Sequence, residues 1–233
     1  MILSDVGIEF SAEELVEAHE KSAPQLQASW RRNEHVSTFD QIRLILQLAS
    51  GNDINMPRSP TVLTKLEKAY VEPLFKYPPT LNEEAVVTLK GMRERARKLG
   101  IISNTGRTPG TALRQILQQV GILSFFDVTI FSDEARCRKP DRRIFDLAAS
   151  EFGVDCSHIV HIGDNPEADV WGAKRAGMRA VLFDYPVPDV FKQQPGSLFA
   201  LSRADRQVSD SEIKADASIG SLSEALAFVD SLL

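Results

Sequence analysis

The sequence predicts an α/β protein: a doubly wound parallel sheet preceded by a helical subdomain. Three observations carry that expectation. From residue 81 onward, amphipathic helical stretches alternate with short apolar runs rich in β-branched residues. Connecting stretches such as TALRQILQQVG and FDLAASEFG are long enough to be crossover helices, so the strands they join should be parallel and buried on both faces. Residues 9 to about 75 carry helical signals alone. The expected division is therefore a helical segment and linker over residues 1–80 and an α/β core over residues 81–233.

The elements follow in order. Ser11 with Glu14 forms a capping box ahead of AEELVEAHEK. The stretch VSTFDQIRLILQLASG sets Phe39, Ile42, Ile45 and Leu46 at helical spacing and stops at Gly51. Ser59 followed by Pro60 reads as an N-cap with proline in the first turn. The apolar runs GIISNT, FDVTIFS, HIVHIGD and MRAVLFD then read as strands. Residues 185–214 are proline-rich and polar without a period, which marks a surface loop, and ASIGSLSEALAFVDSLL reads as a short strand and a final helix.

The 233 residues are 43% hydrophobic and 25% charged, the balance of a globular chain. A formal charge of −5 argues against nucleic acid as a partner, because polyanion binders present a basic face. No apolar run approaches the roughly 18 residues that span a bilayer, and MILSDVGIEF lacks the basic-then-apolar pattern of a signal peptide. A cytoplasmic protein with no membrane partner is expected. Cys137 and Cys156 have neither CxxC spacing nor clustered histidines around them, so they read as reduced structural thiols.

In an open parallel sheet, ligands bind at the carboxyl ends of the strands. Three of the apolar runs lead into polar groups there: Ser103-Asn104-Thr105, Arg138-Lys139-Pro140-Asp141, and Gly163-Asp164-Asn165-Pro166 with Asp169 beyond. A phosphoryl group is bound by short neutral donors plus a point positive charge, and Mg²⁺ by carboxylate oxygens. Together these segments offer both sets. Each residue alone also has a plainer reading: Ser103-Asn104 as a turn, Lys139 as a solvated lysine, Asp164 as a turn residue and Asp169 as a first-turn helix acid. His158 and His161 read as strand residues, the Arg93–Lys98 run as a wet helix face, and Trp30 and Trp171 as packing residues.

The ordered set resembles the haloacid dehalogenase-like (HAD) superfamily: an apolar strand ending in Ser, then a lysine before a helix, then GDxxxxD. Here these are Ser103, Lys139, and Gly163-Asp164 with Asp169, within the wider strings SNTG, RKPDRRIF and HIGDNPEADVWGAKRAGM. The resemblance implies a Rossmann-like core with a helical cap, and a hydrolase that uses Mg²⁺ and acts on a small phosphorylated metabolite. Carried over residue by residue, Ser103 and Asn104 bind the phosphoryl group and Lys139 neutralises the transition-state charge. Asp164 ligates Mg²⁺, and Asp169 supports the metal or orients Lys139.

The family's nucleophile is an aspartate at the end of the first core strand, in a DxDx[TV] string. No such string occurs in this sequence, and Asp5 lacks the second aspartate. The expectation is that about 20 further residues, one strand and its turn, lie upstream, and that this chain alone is inactive. Two acids at Asp164 and Asp169 favour phosphatase over haloacid dehalogenase chemistry, and the order Ser, Lys, acids argues against a phospho-receiver module. The competing reading is a non-catalytic HAD-like binding or regulatory protein.

Overall fold

The computed structural model describes residues 9–32, 34, 36–51, 59–95, 98–185, 208–209 and 211–232. Asp5 and most of the 185–214 stretch lie outside the described residues. Three helices come first: α1 (Ala12–Arg31), α2 (Thr38–Ala49) and α3 (Pro60–Lys76). Ser11 caps α1 in the anticipated box, its hydroxyl accepting from the Glu14 N–H while the Glu14 carboxylate accepts from the Ser11 N–H. Ser37 and Asp40 repeat that box on α2. Ser59 precedes α3, but its side chain makes no cap hydrogen bond. Ile42, Leu46 and Leu66 form the shared core of these helices, with Phe10, Leu15, Val62 and Tyr70 packed against it.

The chain then alternates as α4 (Ala85–Arg95), β1 (Gly100–Ser103), α5 (Gly110–Gln119), β2 (Val128–Phe131), α6 (Ser132–Ala135), α7 (Arg142–Phe152), β3 (Val160–Gly163), α8 (Gly172–Ala176) and β4 (Arg179–Phe183). β5 (Ala217–Ile219) and α9 (Glu224–Asp230) close it. His158 lies in a short 3₁₀ turn ahead of β3 rather than in the strand, whereas His161 is a strand residue as expected. Helix α7 begins at Arg142 on an Asp141 cap, two residues beyond Pro140.

All strand pairs are parallel, but the described strands form two sheets: β1 with β2, and β3-β4-β5 in that order. This corrects the expected burial on both faces. Every residue of β3 is only half-buried, and so is β1 beyond its exposed first residue, while Ala180 and Val181 of β4 are fully buried. Among the described strands β4 has a strand on each side, and β1 and β3 each have one on a single side. Ile130 of β2 and Ala180 of β4 nevertheless share one core with Ile144, Phe145 and Ala148 of α7. Thus α7 packs across both sheets. Among the described residues no helix is long and apolar enough to cross a membrane.

Candidate active site

The loop after β1 is tied to the segment before α7 by a two-way side-chain to backbone exchange. Asn104 Nδ2 donates to the Lys139 carbonyl at 2.8 Å, and the Lys139 N–H donates to Asn104 Oδ1 at 2.7 Å. An amide side chain supplies both the donor and the acceptor that this exchange needs. One residue on, the buried Thr105 N–H donates to Ser132 Oγ at 2.9 Å, and the two hydroxyls meet at 3.0 Å. The ends of β1 and β2 are therefore fastened to each other and to Lys139.

That fastening aims the Lys139 side chain inward. Its ammonium donates to the Ile102 carbonyl of β1 at 2.7 Å and to Asp169 Oδ1 at 2.5 Å. The same Oδ1 lies 3.0 Å from His161 Nε2, and Oδ2 accepts from the Asn165 N–H at 2.9 Å. The open edges of β1 and β3 thus meet at Lys139 and Asp169, bridged by side chains rather than by a strand ladder.

Local sequence explains the placement of Asp169. Asn165 caps the following turn by accepting from the Glu167 and Ala168 N–H groups, and Pro166 starts it. The turn Pro166–Trp171 is π-helical, a form concentrated at functional sites, and it carries Asp169 back over β3. Gly163 is required beneath it, because a Cβ there would overlap the Asp169 carboxylate.

The electrostatics follow from burial. Asp169 is 3% exposed. Burial alone would raise its pKa, but the Lys139 ammonium and the His161 hydrogen bond outweigh it and hold the carboxyl well below the usual range. Burial pushes the His161 pKa down, with Asp169 opposing, so the imidazole is neutral and its Nε2–H is the donor. Phe145 fixes the ring edge-on at 5.4 Å.

The helical segment reaches the same loop. Gln41 Nε2 of α2 donates to the Gly106 carbonyl at 3.1 Å, and Tyr70 of α3 donates to Gln41 Oε1 at 3.4 Å. Arg107 donates to Ser22 Oγ at 3.1 Å and to the His19 carbonyl at 2.7 Å, both on α1. Arg138 stacks over the Trp30 ring at 4.8 Å, and burial lowers its pKa to about 10.

A family model for haloacid dehalogenase-like hydrolases matches residues 10–177. The chain belongs to the haloacid dehalogenase-like hydrolase family. It is 39% identical over 116 residues to the haloacid dehalogenase-like hydrolase domain-containing protein 3 of Bos taurus, covering 49% of this chain and 45% of that protein. It is 34% identical over 126 residues to a phosphoserine phosphatase of Thermus thermophilus, covering 54% and 49%. Each match thus spans about half the relative's length. The structure resembles a 2-haloacid dehalogenase of Pseudomonas syringae with TM-score 0.64 and 18% identity, covering 97% of this chain and 83% of that one, a likeness of fold.

Within this HAD-like chain, Asn104, Lys139 and Asp169 form one hydrogen-bonded group, and Ser103 stands in the chain between Ile102, which accepts from Lys139, and Asn104. Asp164 opens the turn that carries Asp169, next to Asn165. Both Asp169 oxygens already accept protein donors, so its geometry is that of a group orienting Lys139. No group of three metal-ligating side chains occurs among the described residues. Mg²⁺ needs only one or two carboxylates when waters and phosphate complete its shell, and Asp164 can supply one. Arg107 was not singled out from sequence, and His161 was read only as a strand residue, not as a partner of Asp169. His161 could have been found by strand alternation, since it shares a face with Gly163.

Proposed function

We propose that the protein is a Mg²⁺-dependent cytoplasmic phosphatase that acts on a small phosphomonoester through an aspartyl-phosphate intermediate. The observation that carries this reading is that Asn104, next to Ser103 at the end of β1, holds the Lys139 backbone while the Lys139 ammonium meets a buried Asp169 beyond the end of β3. Family membership and the phosphatase relative support it. In this reading Ser103 and the Asn104 backbone bind the transferring phosphoryl oxygens. Lys139, held in place by Asp169, offsets charge that develops on them. Asp164 would hold Mg²⁺, which when bound polarises a phosphoryl oxygen and neutralises charge. The helical segment 12–76 serves as a cap that excludes water and reads the leaving group.

The attacking aspartate belongs, in this reading, to a strand seated between β1 and β3. The edges of β1 and β3 support that placement, since neither pairs with a further strand among the described residues and a parallel strand between them would complete the sheet. Its carboxyl end would then lie beside Lys139. A carboxylate there can form and release a covalent phosphoryl intermediate.

The test is orthophosphate release from para-nitrophenyl phosphate by the native protein purified from its source, with MgCl₂ and with a chelator. Release should require Mg²⁺, and Lys139→Ala should lower turnover by about 10²-fold or more. Asp164→Asn should weaken activation by Mg²⁺. Turnover unchanged in Lys139→Ala would remove that lysine from the mechanism. A native protein that binds phosphate but releases none would favour the binding or regulatory reading.

A further inference from the structure

Arg107 is a part-buried cation at the junction of the helical segment and the core, and every group around it is neutral. Its guanidinium donates to Ser22 Oγ and to the His19 carbonyl, and it lies against the Tyr70 hydroxyl. Ser22 is fully buried, and its hydroxyl is itself committed to the His19 carbonyl at 2.7 Å. Burial, and then the charge of Arg107, lower the His19 pKa to about 4, so its ring is uncharged near neutrality. Burial raises the Tyr70 pKa, so its phenol also keeps its proton. Among the described residues no carboxylate pairs with Arg107.

Two other cations of the core have a carboxylate beside them. Lys139 has Asp169, and Arg114 has Glu134 at 2.8 Å. Removing a guanidinium from water without an anion is unfavourable, and neutral dipoles offset only part of the cost. Five N–H donors in a planar fork also exceed what the neutral acceptors around Arg107 use, and that fork matches a carboxylate in bidentate fashion. The charge therefore has the form of one half of an ion pair.

Its position says what the other half belongs to. Arg107 follows Ser103 by four residues, so their Cα atoms are at most about 14 Å apart. That span suits a small molecule with a phosphoryl group at Ser103-Asn104 and a second anionic end under α1. Gln41 of α2 holds the intervening Gly106 carbonyl, so the same loop joins the two ends.

We propose that Arg107 is a specificity-determining residue that selects phosphomonoesters whose leaving group carries a carboxylate, docked between α1 and the loop after β1. The inference rests on the phosphatase reading for the phosphoryl end of the ligand. One guanidinium carries one charge and matches a monoanionic carboxylate. On docking, the carboxylate accepts from the Arg107 fork and takes over contacts now made to Ser22 and the His19 carbonyl.

The experiment is isothermal titration calorimetry on the full-length native protein in Mg²⁺ buffer, comparing 3-phosphonopropionate with propylphosphonate, which lacks the carboxylate. Neither ligand can be hydrolysed, so the readout does not depend on turnover. The wild type should bind 3-phosphonopropionate about tenfold more tightly or better, as expected for a charge-assisted hydrogen-bonded pair. Arg107→Gln should bring the two affinities to within about twofold of each other. Arg107→Lys, which keeps the charge and is the control against misfolding, should retain part of the difference. Equal affinities in the wild type, no binding of either ligand, or a preference unchanged in Arg107→Gln would each overturn the proposal. A wild type that discriminates in this way yet releases no phosphate from a carboxylated ester would sink the phosphatase reading and leave the assignment of Arg107 standing.

Discussion

The side chains of Lys139 and Asp169 are 10% and 5% exposed and form a hydrogen-bonded ion pair inside the protein. Removing one partner of a buried pair costs about 3–5 kcal/mol, whereas replacing both with apolar groups can be nearly neutral. Lys139→Met should therefore lower the urea unfolding free energy by about that amount, and the Lys139→Met/Asp169→Leu double variant should recover much of it. His19 gives a pH signature. Its folded-state pKa of about 4 lies below the unfolded value, so the unfolded chain takes up the proton first. Stability is thus fully present above the ordinary histidine range and falls as pH drops toward 4. In His19→Gln, unfolding midpoints measured across that window should fall less steeply, and His161 supplies a residual slope in the same direction. Ser103, Lys139, Asp164 and Asp169 could be named as candidates from sequence because each stands at or after an apolar run, and of these the structure pairs Lys139 with Asp169. Arg107 was not, since one arginine in a loop has no period and its lack of a countercharge emerges only when α1 folds over it.

The strands and long helices were legible because their periods are local: Ile144, Phe145, Ala148 and Ala149 form the buried stripe of α7. The π-helical turn at Pro166–Trp171 was not, because a widened turn has no hydropathy pattern of its own and is held by Asn165 and the packing of Asp169. Asn165→Ala would strip two N–H groups of their acceptor at the start of that turn. The expected cost is about 1–2 kcal/mol in thermal or urea unfolding. Because Asp169 rides on the turn, para-nitrophenyl phosphate turnover by the native protein should fall as well.

At the scale of the whole molecule, the parallel topology could be read from crossover lengths, whereas a break between two neighbouring strands followed only from the family resemblance and its absent first strand, because edge exposure depends on which strands become neighbours. That break makes a measurable distinction within the core. In hydrogen exchange followed by mass spectrometry on the 233-residue chain, peptides from β1 and β3 should exchange about tenfold faster or more than those from β4, which is paired on both sides. Uniform protection across all three would mean that both open edges are covered. The stacking of Arg138 on Trp30 gives this junction an optical handle. The chain has two tryptophans, Trp30 against Arg138 and Trp171 against Arg175. With Trp171 replaced by phenylalanine, the remaining indole emission would come from the seam between α1 and the residue preceding Lys139. Its wavelength and quenching would then follow the helical segment lifting from the core, in real time and without an added dye.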